Sequence, residues 1–309
     1  MNALDNWKDS LSCVRCHGKL RTEEEALVCV SCRARYDRSG DGVPIMMTPE
    51  DLLRFGIVLD RESGATMEEK YIRRYGQEVA TRLWRALSPP EPVYVDPEAP
   101  PLPRADSGLN LWLGGGGLDT GNFINIDLSP FYGVEIVAHA GRLPFLEDSC
   151  DRVACLALLE HVPDPSEIVK EILRVLKPGS KVEAVVPFCH PYHAYPSDYM
   201  RFSREGLTDM FADFDSLDVG IRTGPTTTML TFLTYYGKLI FPVHTPNTLR
   251  RWFNRGVMGL FGWVAAPFSY LDRWINRLPD AHVLANHFYV TAYKPNGKGS
   301  RHEETKGTK

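Results

Sequence analysis

The chain has 309 residues, 43% of them hydrophobic and 24% charged, with 35 Lys and Arg against 39 Asp and Glu for a net charge of −4. These values exclude a disordered, collagenous or disulfide-dense chain, and the acidic balance disfavours nucleic acid as the main partner. Met1 to Leu11 lacks the apolar segment of a secretory signal, and the late uncharged stretch Gly256–Leu271 contains Pro267 and falls short of the ~20 residues of a membrane span. A cytoplasmic protein is expected.

In chain order, the first feature is Cys13, Cys16, Cys29 and Cys32, a CxxC-x12-CxxC pattern. Two CxxC knuckles joined by a hairpin supply the four soft ligands of a tetrahedral zinc site. The intervening KLRTEEEALVCV suits that hairpin. A redox reading needs only one CxxC, so two at this spacing favour metal. Four ligands close the site, which makes it structural, and the small segment 1–48 draws much of its folding energy from the ion.

Residues 49–87 have helical spacing, as in Tyr71, Tyr75, Val79, Leu83 and Leu87. Residues 88–106 hold seven of the 23 prolines and predict an extended connector. An alternation of strands and helices follows. Strands are predicted at 109–113, 123–126, 135–138, 152–156 and 181–188, with an amphipathic helix at 165–176. A helix near 203–211 precedes strands at 214–222 and 287–294. This order predicts an α/β domain with a parallel sheet over 107–294. Residues 295–309 are polar and predict a disordered tail.

The strand LNLWL runs into Gly114–Gly117, and the strand FINI ends at Asp127. Glycines let the backbone approach a ligand, and an acid at the end of the second strand suits ribose hydroxyls. Only residues 114–122 separate these strands, too few for a phosphate-binding helix. Asp127 also comes earlier than the acid of a dinucleotide fold. A cofactor with adenosine but no phosphate is favoured.

On these residues, together with GRLPF, DRVACLALLEHVPDP and EILRVLKPGSKVEAVVPF, the stretch from Leu109 to about Thr223 resembles a class I S-adenosylmethionine-dependent methyltransferase. It is closest to the methyltransferase type 11 branch. The cysteine segment resembles the small zinc ribbon found beside many such domains. The resemblance implies a Rossmann-like sheet with helices on both faces. To it are added the N-terminal ribbon and a helical insertion before the last strand. It implies that Gly114 and Gly116 line the methionine part of S-adenosylmethionine, and that Asp127 holds the ribose. By the same resemblance Gly141, Arg142 and Leu143 flank adenine, and Leu156 sits beside the sulfonium. The chain departs from the family at His139 and Ala140, where an acid commonly precedes the LPF loop, and at Trp112 and Leu113, where an acid commonly precedes the glycines.

After the fifth strand, CHPYHAYPSDYMRFSREGL crowds His190, Tyr192, His193, Tyr195, Asp198, Tyr199 and Arg201 together. This segment leaves the sheet where a methyl group would be presented. Methyl transfer to a hydroxyl needs a proton acceptor, and His190 and His193 are candidates, with Asp198 as orienter or alternative base. The insertion at about 225–285 is aromatic and apolar with flanking arginines. It reads as a helical subdomain packed on the sheet, as a dimer interface, or as a lid making peripheral membrane contact through residues 229–271. The expected acceptor is a small molecule, a sugar or a lipid-linked glycan, methylated at oxygen. Ribosomal RNA base methylation, and a non-catalytic zinc-ribbon scaffold, are the alternatives.

Overall fold

A computed structural model describes residues 3–24, 26–55, 92–104, 107–194, 197–242 and 247–296. The predicted helix over 49–87 is described only as α1 (Pro49–Phe55); its remainder, Tyr195 and the tail beyond residue 296 lie outside the described residues.

The segment between the cysteine pairs forms the expected hairpin, β1 (Leu20–Glu23) against β2 (Ala26–Cys29). β3 (Arg35–Tyr36) pairs with β2 on its other side. The next strand, β4 (Ile45–Met46), leaves this small sheet and joins the large one.

The large sheet contains β5 (Asn110–Leu113), β6 (Ile124–Asp127), β7 (Ile136–Ala138), β8 (Cys150–Leu156), β9 (Leu176–Pro187), β10 (Asp215–Thr223) and β11 (His287–Tyr293). Its order is β10-β11-β9-β8-β5-β6-β7-β4. The pairs from β9 to β4 are parallel, and β11 pairs antiparallel with both β9 and β10. This is the mostly parallel α/β sheet that the strand–helix alternation predicts. Successive strands β5, β6 and β7 run to one side of β5, while β8 and β9 lie on the other. The strand order therefore reverses between β5 and β8, and the carboxyl ends of those strands frame the crevice where open α/β sheets bind ligands.

Helix α2 (Pro165–Val175) starts with Asp164 as N-cap, its carboxylate accepting from the Ser166 N–H at 3.0 Å, and with proline in its first turn. Its buried residues Ile168, Val169, Ile172 and Val175 meet Val153, Cys155, Val182 and Ala184 of the sheet. Helix α3 (Arg204–Met210) adds Leu207 to the same core. Each of these buried aliphatic side chains contributes roughly 1.5–3 kcal/mol. Leu11, Cys13, Val14, Tyr36 and Met46 belong to that core as well. The cysteine segment is thus fastened to the sheet by shared apolar contacts, by the β4–β7 pairing, and by backbone bonds from Ser12 N–H to Pro144 and from Leu146 N–H to Ser10. This placement of β4 as an edge strand has no signal in residues 43–48.

The described part of the proline-rich connector is extended, as predicted. Val95 bridges Thr223 at the end of β10, and Pro100–Pro103 cross the face of β8–β11 opposite α2 and α3. Arg222 donates to the Pro100 carbonyl, and Arg152 to that of Arg104.

The insertion comprises α4 (Pro225–Ile240), α5 (Thr248–Ala265) and α6 (Asp272–Ile275). The fully buried Asp272 carboxylate accepts from the Thr226 and Thr227 N–H groups at 2.7 and 2.9 Å. It satisfies the first turn of α4 and sits at the positive end of that helix. Gly237 lets α5 approach, since a Cβ there would lie 3.1 Å from the Met258 sulfur.

Candidate active site

The four cysteine sulfurs converge. Cys13 and Cys32 are 3.5 Å apart, as are Cys16 and Cys29, and all four sulfurs lie within 4.8 Å of one another. Sulfurs around a tetrahedral zinc ion, with bonds of about 2.3 Å, stand about 3.8 Å apart, so the set fits such an ion. The two knuckles repeat one backbone pattern. Cys13 N–H donates to Gly18 O and Cys29 N–H to Ala34 O; His17 N–H donates to Cys13 O and Arg33 N–H to Cys29 O. His17 and Arg33 take positive φ at equivalent places, 55° and 62°. The buried Tyr36 hydroxyl lies 3.0 Å from the Cys13 sulfur, which orients it from behind.

The glycine loop lies at the strand-order reversal. Gly114 and Gly116 have φ of +70° and +51°, where a side chain is strained. Gly116 N–H donates to Asp127 at 2.9 Å, and Ser129 N–H donates to its other oxygen at 3.2 Å. Burial pushes the Asp127 carboxyl above the ordinary range, against those hydrogen bonds. Asn125, fully buried on β6, donates to the Gly116 carbonyl at 3.0 Å, and a Cβ on Gly115 would run into its side-chain oxygen. Asn125 braces the loop; its position inside a short strand carries no motif. No helix intervenes between β5 and β6, as their short separation predicts.

Gly114, Gly116 and Asp127 are therefore brought together, and other expected cofactor residues are placed differently. Leu143 is fully buried in the core, with its N–H taken by Glu171 at 2.7 Å. Its side chain is thus directed into the core rather than toward the crevice. Leu156 packs with Trp112, Phe123 and Ala154 and faces Pro100–Pro103 on the sheet surface. The side chain against Gly114 is Leu158, which a Cβ there would meet at 3.0 Å. Arg142 pairs with Asp51 at 3.3 Å, in a cleft that Gly141 shares with Arg15, His17 and Glu167. His139 accepts the Gly141 N–H at 3.2 Å, and burial keeps its imidazole below the usual range.

The loop after β8 joins the glycine loop to the histidine-rich segment. Leu158 touches the glycine side, and Glu160 accepts the Tyr199 N–H at 2.8 Å through its carbonyl. Arg201 holds the segment's shape. It donates to Asp198 in bidentate fashion at 2.5 and 2.7 Å and to the His190 and Pro191 carbonyls at 3.0 and 2.9 Å. The guanidinium holds the Asp198 carboxyl well below the ordinary carboxylate range. Asp198 also accepts the His193 N–H at 2.7 Å. This carboxylate is fully engaged, which fits the orienter rather than the base.

His190 and His193 stack at 4.5 Å between ring centroids. His193 Nδ1 lies 3.2 Å from the Pro191 carbonyl, and its Nε2 faces Glu160 at 3.5 Å. His190 Nδ1 is buried with no hydrogen-bond partner among the described residues. Burial above all, with the nearby Arg201 charge adding to it, lowers the His190 imidazole to about 4. Two participants have no signal in the histidine-rich motif itself. His287 opens β11, its ring 5.1 Å from that of His190, and Tyr235 of α4 lies 6.1 Å from the same ring.

Residues 122–183 match the family model Methyltransf_11, described as a methyltransferase domain. Over 34 residues, 11% of this chain, the sequence is 59% identical to ubiquinone biosynthesis O-methyltransferase of Idiomarina loihiensis, and over 37 residues 46% identical to that of Pseudomonas fluorescens. The matched segments span 14% and 16% of those relatives. Among solved structures, the chain is similar to Haemonchus contortus phosphoethanolamine N-methyltransferase 2 in complex with S-adenosyl-L-methionine. The identity is 15%, the TM-score 0.40, and 75% of this chain and 61% of that one are covered. A possible histamine N-methyltransferase from Thermotoga maritima is 16% identical with a TM-score of 0.37, covering 62% of this chain and 84% of that one.

Proposed function

We propose that the chain is an S-adenosylmethionine-dependent methyltransferase that methylates a hydroxyl of a small-molecule, sugar or lipid-linked glycan acceptor. The observation that carries this reading is the glycine loop, with positive φ at Gly114 and Gly116, bonded to Asp127 at the strand-order reversal, within and beside the segment that matches a methyltransferase domain. Gly114 and Gly116 would hold the methionine part of the cofactor and Asp127 the ribose hydroxyls. When bound, the cofactor supplies a methyl group already activated on a cationic sulfur. The chain's own residues then position the acceptor and remove one proton. Arg201 and Asp198 fix the acceptor segment, and His190 Nδ1 would take the proton that the hydroxyl loses as the methyl carbon passes from sulfur to oxygen and the thioether S-adenosylhomocysteine leaves. Incubation with methyl-labelled cofactor and a panel of hydroxylated sugars, glycolipids, phenols and RNA tests this. A labelled ether is expected, and label confined to RNA bases would overturn the acceptor class.

The cysteine set is read as a structural zinc centre. Metal analysis of protein prepared without chelator should find zinc released by an organomercurial that titrates the thiols. Because the ribbon shares the core and an edge strand with the sheet, Cys29→Ser should lower the melting temperature of the whole fold. A loss of about 3 kcal/mol, or roughly 5–10 °C, is expected. Melting of the N-terminal segment alone, with the main transition unmoved, would contradict that coupling.

The insertion is read as a membrane-contacting lid over a lipid-linked acceptor. Among the described residues no helix is long and apolar enough to cross a membrane. Yet Phe232, Tyr236 and Leu239 of α4, and Trp252, Phe253 and Trp263 of α5, are exposed. Lys238, Arg250, Arg251, Arg255, Arg273 and Arg277 accompany them, against two acids over 225–285, Asp272 and Asp280. Exposed aromatics flanked by cations suit an anionic bilayer surface. Co-sedimentation with vesicles rich in anionic lipid should be strong at low salt and lost in a Trp252→Ser/Phe253→Ser/Trp263→Ser variant. Equal partitioning of that variant would remove the membrane reading.

A further inference from the structure

Glu160, His161 and His193 bring three ligand atoms within 4.8 Å of one another. Glu160 is fully buried, and neither carboxylate oxygen has a hydrogen-bond partner among the described residues. Its Oε1 lies 3.8 Å from His161 Nε2 and 3.5 Å from His193 Nε2. These separations are too long for hydrogen bonds. They are close to the roughly 3.4 Å expected between neighbouring ligands of a tetrahedral ion with bonds near 2.1 Å.

The second nitrogen of each ring explains why the space between them is electron-rich. His161 Nδ1 is 2.6 Å from the Ser197 carbonyl, which can only accept, so Nδ1 carries the proton and Nε2 presents its lone pair to Glu160. His193 Nδ1 is 3.2 Å from the Pro191 carbonyl and 3.5 Å from Asp198 Oδ2, two acceptors that outweigh the approach of the Arg201 guanidinium at 3.4 Å; with the proton on Nδ1, Nε2 also turns a lone pair inward. A ring nitrogen donating to a carbonyl while the other faces an ion is the usual support of a metal-binding histidine. A buried carboxylate facing two lone pairs, with no donor between them, is costly unless a cation sits there.

We propose that Glu160, His161 and His193 form a second metal site, separate from the cysteines, for a divalent transition ion. Two imidazoles and one carboxylate suit zinc, manganese, cobalt or nickel better than a wholly oxygen-seeking cation such as magnesium. Three protein ligands leave a coordination position for water or a ligand oxygen. The site stands on its geometry and does not depend on the methyl-transfer reading.

The test is equilibrium dialysis of the full-length protein against Zn²⁺, Mn²⁺, Co²⁺ or Ni²⁺ separately. Metal is counted by mass spectrometry before and after an organomercurial displaces whatever the thiols hold. The wild-type chain should retain one equivalent of at least one of these ions after mercurial treatment. Glu160→Gln should lose that equivalent and keep the thiol-bound one. His193→Ala, a change in a partly exposed loop residue, should do the same if the glutamine variant fails to fold. No retained ion in the wild type for any of the four metals would overturn the site and leave a shared proton in its place. Retention in His193→Ala at the wild-type level would overturn it equally.

Discussion

Replacing His190 with alanine is expected to lower single-turnover methyl transfer by about 10²–10⁴-fold while leaving cofactor affinity nearly unchanged. The two histidines and one aspartate that the sequence singles out differ in their surroundings. Asp198 is consumed by the bidentate Arg201 and the His193 N–H. His193 turns Nε2 to Glu160 and Nδ1 to a carbonyl. Only His190 keeps a buried ring nitrogen with no described partner. Its neutral form is the competent one, and burial favours that form. Asp198→Asn should act differently, weakening acceptor binding as the segment loses its anchor. If His190→Ala turns over at the wild-type rate, catalysis rests on proximity and alignment alone, and the segment only shapes the pocket.

Asp127→Ala should weaken S-adenosylmethionine binding by roughly 1.5–3 kcal/mol, about tenfold to 150-fold, through the loss of charge-assisted hydrogen bonds to ribose. The same change frees the Gly116 N–H, so the glycine loop loosens as well. A pH dependence follows from the raised Asp127 carboxyl. On the proposed reading the ionised form accepts the ribose hydroxyls, so affinity falls as pH drops through the carboxyl's own value. Because burial raises that value, the fall starts at a higher pH than for an ordinary aspartate of about 3.9. Calorimetric titrations between pH 7 and 4 check both points. Equal affinity of the variant and the wild type would show that the acid at the end of β6 does not meet the cofactor.

The strands were legible because their apolar runs and flanking Gly, Pro and Asp signals agree. The predicted strand at 123–126 appears as Ile124–Asp127, the helix at 165–176 as Pro165–Val175, and the last strand at 287–294 as His287–Tyr293. The cysteine spacing was equally readable, since two knuckles and a hairpin need only local chain. Position along a strand was not. Leu156 and Leu158 are alike in sequence, but the first lies on the sheet face and the second past the strand end, where Ala157 takes a φ of +53° and turns the chain. Long-range assembly was invisible for the same reason. Ile45–Met46 joins β7 across about ninety residues of chain, and His287 reaches His190 only because β11 inserts between β9 and β10. In the sequence Glu160 stands only within the family-like stretch LLEHVPDP. Its full burial between two histidines from different segments appears only in three dimensions.

The most direct test of the central claim is isothermal titration of the full-length protein with S-adenosylmethionine, with S-adenosylhomocysteine as competitor. The glycine loop and Asp127 predict saturable binding at one site per chain, competed by the product and weakened in Asp127→Ala. Absence of binding by a folded, metal-replete wild-type protein would contradict the methyltransferase reading outright.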